Sequence, residues 1–212
     1  VGTKYEDYEM PKIASWLYQV INKLEVKEFY FLSHSWGSFV SLFFIKDYPD
    51  KVKGTILIDG GYQGKRHGEQ SVDEEVAYYE NDFEDYVETW EQFLELVNSE
   101  TLNWTPLKEI AAKDLSLQVK DRYYWHARGE TAGHIIRAMH KDEPEDIYPF
   151  LPKKIILLGA TLPHSRDTSR RKLASLFEEK AQGIIKFIPE TTHLLHWDKP
   201  EVVIKEIRHR WK

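Results

Sequence analysis

The sequence predicts an α/β fold, a mostly parallel sheet with crossover helices, and three observations predict it. Short unbroken apolar runs recur along the chain, segments with helical periodicity lie between them, and the two kinds alternate in order. A parallel sheet has helices on both faces, so its strands read as continuous hydrophobic runs instead of alternating ones.

The first helix is expected over residues 13–24, where Ile13, Trp16, Leu17, Val20, Ile21 and Leu24 recur at helical spacing and Pro11 suits the first turn. Phe29-Tyr30-Phe31-Leu32 is too short for a helix and reads as a buried strand. A second helix follows over residues 37–48 and stops before Pro49. The run GTILI at residues 54–58 is the next strand, emptying into a loop at Asp59, Gly60 and Gly61.

From residue 65 to 149 the texture changes. Charges are dense, strand-like runs are absent, and aromatic residues are interleaved, with Val87, Trp90, Phe93, Leu94 and Val97 at helical spacing. This segment is expected to be a helical lobe inserted into a core made of residues 1–64 and 150–212. The strand signal returns in IILL at 155–158 and IIKFI at 184–188, with a helix around 170–179 between them. A last helix over 200–211 has Pro200 near its start and Val203, Ile204 and Ile207 on its inner face. No internal repeat or low-complexity segment interrupts this order.

At 212 residues, with 42% hydrophobic and 30% charged residues, the chain suits one folded domain with a subsidiary lobe. The formal charge of −6 gives no broad attraction for a polyanion, so nucleic acid is not an expected partner. The densest basic stretch, from Arg166 to Lys172, reads as a solvated surface without a function. With no cysteine, the chain has no disulfide framework, thiolate nucleophile or thiolate metal ligand, so covalent chemistry must use another residue. No apolar run approaches the roughly 20 residues needed to span a bilayer, and the start VGTKYEDYEM lacks the order of a signal peptide. A cytoplasmic location is the default expectation.

The chemistry concentrates where the strand at Phe29 runs into Ser33-His34-Ser35-Trp36-Gly37 before a helix. A sharp turn there can lift the Ser35 hydroxyl above the sheet edge, and backbone crowding calls for small residues at Ser33, Gly37 and Ser38. The pentapeptide resembles the G-x-S-x-G nucleophile elbow of the α/β-hydrolase family, with serine in place of the first glycine. His34 matches the histidine that many members carry before the nucleophile. The run from Thr191 to Glu201, TTHLLHWDKPE, resembles the loop holding that family's catalytic histidine, and His193 fits the motif position. His196 matches a position that packs or hydrogen-bonds nearby.

The resemblance implies a serine hydrolase with Ser35 as nucleophile and His193 as general base. Its third member, a carboxylate, most often follows the penultimate strand, but Gly159-Ala160-Thr161-Leu162-Pro163 contains none. Asp59, at the end of the strand after the elbow helix, is the preferred acid, as in some members of the family, and Asp167 is the other candidate. Trp36 would supply an oxyanion donor through its backbone N–H. His34, Trp90 and Trp125 are expected to line the site of a small hydrophobic acyl substrate.

The expected reaction is cleavage of a carboxylic ester, lactone or related acyl bond through an acyl-enzyme, with no cofactor or metal. A serine nucleophile disfavours the haloalkane and epoxide hydrolases of the family, which use a carboxylate. The alternative is a non-catalytic ligand-binding protein on the same fold. Family members usually begin with further strands before the elbow, so the resemblance implies either a separate N-terminal segment, the preferred expectation, or a reduced sheet whose apolar edge a second copy in a homo-oligomer would cover.

Overall fold

The computed structural model describes residues 4–211, so the outermost positions of the expected core segments, 1–3 and 212, lie outside the described residues. In chain order the elements begin α1 (Met10–Lys23), β1 (Phe29–His34), α2 (Trp36–Asp47) and β2 (Val52–Ile58). The middle of the chain contributes α3 (Val72–Asp82), β3 (Tyr86–Val87), α4 (Trp90–Ser99), α5 (Pro106–Leu115), β4 (Ser116–Val119), β5 (Arg122–Trp125) and α6 (Gly129–Lys141). It ends with β6 (Ile156–Ala160), α7 (Asp167–Ala181), β7 (Ile184–Ile188), α8 (Leu195–Asp198) and α9 (Pro200–Arg210).

The four apolar runs form one sheet in the order β1-β2-β6-β7, with every neighbouring pair parallel. Alternate side chains divide between two faces, both buried in the central strands β2 and β6, while edge strand β1 leaves Tyr30 and Leu32 exposed on one of them. Leu57 and Leu157 point into a core shared with Phe39, Leu42 and Phe43 of α2, Ile13 of α1 and Phe177 of α7. Ile56, Ile58, Ile156 and Leu158 point the other way, onto Leu195 and Val203. This two-sided burial is why the central strands β2 and β6 end in unbroken hydrophobic runs.

Helix α2 is buried from Ser38 to Ile45, so its apolar residues surround the helix instead of marking one stripe. The stripe of α1 is narrower than the spacing predicts. Met10, Ile13, Ala14 and Ile21 are buried, but Trp16 is 48% exposed and Leu24, beyond the last turn, is 68% exposed. Strand β1 lies at one edge of the sheet, and its Tyr30 stacks on Trp211 with ring centroids 4.9 Å apart.

Residues 65–149 are mainly helical, with one departure from expectation. β3, β4 and β5 form a separate antiparallel sheet in the order β3-β5-β4. Its strands have two to four residues, and the β4–β5 hairpin turns at Lys120 and Asp121, with Lys120 at φ 54°. A two-residue turn of this kind usually carries glycine or asparagine, so the hairpin has no sequence signature. Within this segment Val76 of α3 and Ile136 and Met139 of α6 join the main core. Phe93, Val97 and Ala112 of α4 and α5 build a smaller one, with Trp90, Tyr123, Trp125 and Trp197 packed against it. Among the described residues no helix is long and apolar enough to cross a membrane.

Parallel strands deliver the loops at their C-terminal ends to the same sheet edge. Ser35 follows β1 directly, Asp59 follows β2, and the loop after β7 contains His193. The topology therefore brings three distant sequence positions to one rim.

Candidate active site

Ser35 ends β1 and starts α2 with φ 51° and ψ −125°. A residue with a side chain is strained at such a φ, and neighbouring contacts must hold it there. The Ser35 N–H donates to the Ile58 carbonyl at 3.0 Å, and the Ser38 N–H donates to the Ser35 carbonyl at 3.0 Å. The crowding expected at Gly37 falls elsewhere. A Cβ on Gly37 would meet only the Ser33 Cβ at 3.9 Å, an ordinary contact, whereas a Cβ on Gly60 would stand 2.2 Å from the Ser35 carbonyl oxygen. Gly60, in the loop after β2, is the residue that makes room for the turn.

Ser33 does more than replace a glycine with something small. It is buried, its hydroxyl donates to Ser38 Oγ at 3.2 Å, and it lies 3.0 Å from Ser41 Oγ. Ser41 in turn donates to the Ser38 carbonyl at 2.9 Å. The elbow thus rests on three buried hydroxyls that satisfy one another.

Asp59, also at positive φ (39°), has a side chain with no exposed surface. Its Oδ1 accepts from the Tyr62 hydroxyl at 2.9 Å and the Ala160 N–H at 3.1 Å. Its Oδ2 accepts from His193 Nδ1 at 2.8 Å and faces the Arg170 guanidinium at 3.8 Å. Burial pushes the Asp59 carboxyl up, but the His193 hydrogen bond and charge, the Ala160 N–H and the Arg170 charge together hold it below its ordinary value. Burial and the Asp59 charge push the Tyr62 phenol up, so it remains a donor.

An ionised carboxylate can only accept, so the proton between Asp59 and His193 sits on Nδ1. In the neutral imidazole Nε2 is then an acceptor, and it lies 2.8 Å from the Ser35 hydroxyl. Serine, imidazole and carboxylate form one continuous hydrogen-bonded chain. An imidazole held in this way can take a proton from a hydroxyl and return it.

His34 and His196 pack beside it with their rings tilted by 44° and 51° at the two contacts. The His34 ring centroid is 4.6 Å from that of His193 and 4.4 Å from that of His196, and His34 Nε2–H donates to the His193 carbonyl at 2.9 Å. Burial, followed by the nearby His193, pushes both His34 and His196 down to about 4. Both rings are therefore neutral near pH 7, and His34 holds the His193 backbone without adding charge.

The sequence of residues 2–134 matches the family model for the α/β-hydrolase fold, which is more than half of the chain. The chain belongs to the α/β-hydrolase family. Solved structures agree on the α/β-hydrolase fold. An E-2-(acetamidomethylene)succinate hydrolase superposes with a TM-score of 0.74 at 17% identity, over 99% of this chain and 76% of that one. An esterase from Exiguobacterium antarcticum gives 0.68 at 14% identity, over 97% and 75% of the two chains. A thermophilic esterase from Thermogutta terrifontis gives 0.67 at 18%, over 95% and 71%. Among curated proteins none is a significant match.

On this α/β-hydrolase framework Asp59, and not Asp167, meets the imidazole. Asp167 opens α7, accepts from Arg171 Nε at 2.9 Å, and lines a separate cleft of about 460 Å³ with Thr161, His164 and Phe187. None of Ser35, Asp59 or His193 lines that cleft. The reading of residues 166–172 as a solvated surface needs correction at one position, because Arg170 is buried and pairs with Asp59. Its signal was available as a stripe, since Arg170, Ala174, Phe177 and Ala181 are the buried residues of α7 and recur at helical spacing. Trp36 occupies the first turn of α2, where backbone N–H groups have no partner within the helix. Trp90 and Trp125 pack against Phe93, with ring centroids 5.8 and 5.1 Å away, as walls of the smaller core.

Two outcomes follow from this geometry. Ser33→Gly, which restores the commoner pentapeptide, should lower stability by about 1–2 kcal/mol in urea unfolding, because it adds backbone freedom and removes a buried hydroxyl from a satisfied cluster. A gain in stability would contradict the role of the hydroxyls. For His34, the unfolded imidazole takes up a proton near its ordinary 6.5 while the folded one does so only near 4. Its contribution is complete above pH 6.5 and is lost as pH falls toward 4, by at most about 3 kcal/mol. His34→Gln should therefore lose stability less steeply than the wild type over that interval, and parallel curves would refute the assignment.

Proposed function

We propose that the protein cleaves a carboxylic ester, lactone or related acyl bond through an acyl-enzyme on Ser35, with His193 as general base and acid and Asp59 as the orienting carboxylate. The observation that carries this reading is the pair of 2.8 Å hydrogen bonds that join Ser35 Oγ to His193 Nε2 and His193 Nδ1 to Asp59. A protein that only bound a ligand would have no use for a buried charge spent on fixing an imidazole tautomer against a serine. The esterase names of several structural neighbours support the same substrate class.

In the proposed reaction Ser35 Oγ bonds to the acyl carbon while His193 Nε2 takes the hydroxyl proton. The carbonyl oxygen becomes an oxyanion, which the Trp36 N–H at the start of α2 stabilises. Collapse breaks the bond to the leaving group, which departs with the proton from His193. Water then repeats the sequence on the acyl-serine and releases the acid. Asp59 stays ionised throughout, because its donors favour the charged form.

Residues 65–149 act as a lid over this rim, and Trp90 and Trp125 set acyl-chain preference with His34. The packing of Trp197, from the histidine loop, against the lobe's aromatic cluster supports a lid that closes near the imidazole.

A fluorophosphonate probe should label Ser35 in the wild type and fail on Ser35→Ala, and His193→Ala should remove p-nitrophenyl ester hydrolysis. Asp59→Asn should preserve the fold but lower kcat by about 10⁴-fold, because an amide favours the wrong tautomer and stabilises no imidazolium, while Asp167→Asn changes kcat by no more than about twofold. Equal, small losses in the two asparagine variants would sink the assignment of the acid.

A further inference from the structure

The Asp198 carboxylate, at the end of α8, is 1% exposed and has no part in the proposed proton transfers. Its two oxygens face different parts of the molecule. Oδ2 accepts from the N–H and the hydroxyl of Thr192, both at 2.7 Å, and Thr192 immediately precedes His193. Oδ1 accepts from the Thr101 hydroxyl at 2.7 Å and the Leu102 N–H at 2.6 Å, both in the connection between α4 and α5. Lys108, with a side chain only 7% exposed, stands 3.9 Å from Oδ1 and donates to Thr101 Oγ1 at 2.9 Å and to the Leu102 carbonyl. Burial opposes the charge, but these donors hold the Asp198 carboxyl below its ordinary value.

We propose that Asp198 is a positioning residue that clamps the His193 loop to the Thr101–Leu102 connection of the lobe, so that the seating of the lobe fixes the imidazole. The proposal rests on the hydrolytic reading of Ser35 and His193 for its effect on rate, and on geometry alone for the clamp. A staple that only stabilised the lobe would not need to bond the residue adjoining His193. A loop anchor would not need to reach the lobe. One carboxylate does both, with four donors divided two and two.

The division makes Asp198→Asn a sharp probe. An amide must turn its NH₂ toward one side, and each side presents a backbone N–H, from Leu102 or Thr192, that cannot become an acceptor. Either the lobe bond or the loop bond is lost, whichever way the amide turns. Thr101→Val, remote in sequence from the histidine loop, weakens the lobe side alone.

The test compares wild type, Asp198→Asn and Thr101→Val by kcat and KM on p-nitrophenyl acetate, by thermal midpoint, and by the downfield proton resonance of the His193 Nδ1–H bond to Asp59. Displacing the imidazole should lower kcat by about 10- to 100-fold in Asp198→Asn with a smaller change in KM, and several-fold in Thr101→Val. The resonance should shift or broaden in both variants. If both lower the thermal midpoint but leave kcat and the resonance unchanged, Asp198 is a structural staple and the proposal falls. Should Asp198→Asn fail to fold, Thr101→Val decides by the same criteria. The resonance reports the clamp whether or not esters turn over, so a wild type without hydrolysis would overturn the enzymatic reading while the clamp was judged separately.

Discussion

The buried charge of Asp59 is the constraint around which the rim of the sheet is arranged. An ionised carboxylate removed from water is costly unless every lone pair finds a donor or a countercharge. Asp59 obtains them from four places: Tyr62 in its own loop, the Ala160 N–H at the end of β6, Arg170 on α7 and His193 after β7. Removing any one would weaken the compensation of a carboxylate that has no exposed surface of its own. The register of β2 beside β6, the rotation of α7 that turns Arg170 inward, and the path of the histidine loop are thereby linked to one side chain.

Strain at the same rim has a related logic. Ser35 and Asp59 both adopt positive φ, and the two backbones approach so closely that residue 60 has no space for a Cβ. Such conformations persist where surrounding structure over-determines them. Here the strained turns follow β1 and β2, adjacent strands in register from Tyr30–Gly54 to His34–Ile58, with hydrophobic packing on both faces of β2. The sheet supplies the rigidity, and the turns aim a hydroxyl and a carboxylate at a shared imidazole.

What was legible in the sequence follows the range of the interactions. The four parallel strands could be read because each is a short, mostly apolar run, unbroken where burial on two faces is complete in β2 and β6, and that is a property of the local sequence. Ser35, His193 and Asp59 could be singled out because each falls at a motif position of the family that the sequence resembles, at the end of a strand or in the loop after one, and the structure brings the three side chains together. Arg170 could not be assigned to Asp59, since nothing near it in sequence records a partner across the fold, and Tyr62, only three residues from Asp59, carries no local pattern that tells a hydroxyl turned back onto the carboxylate from an ordinary loop tyrosine. Arg170 was further concealed by charged neighbours, although the burial stripe of α7 passes through it. The small sheet of β3, β4 and β5 lacked a signal because its strands are short and half-exposed and its hairpin turns on Lys120 instead of glycine. The crowding argument found the right device at the wrong glycine, because the close approach to Ser35 comes from another loop.

The histidine loop shows how a hydrogen-bonded relay can depend on groups outside it. Loop residues are the mobile part of a fold, yet a proton relay through an imidazole tolerates little displacement. His193 is held by its ring through Asp59, by its carbonyl through His34, and by the preceding residue through Asp198. These restraints reach the loop at three different points, the ring, the carbonyl and the preceding residue. Asp59 bonds the ring and so sets its tautomer, while Asp198 bonds the backbone and hydroxyl of the preceding Thr192. His34 can share the site because its imidazole is neutral, since a cation there would oppose the proton transfer proposed for His193.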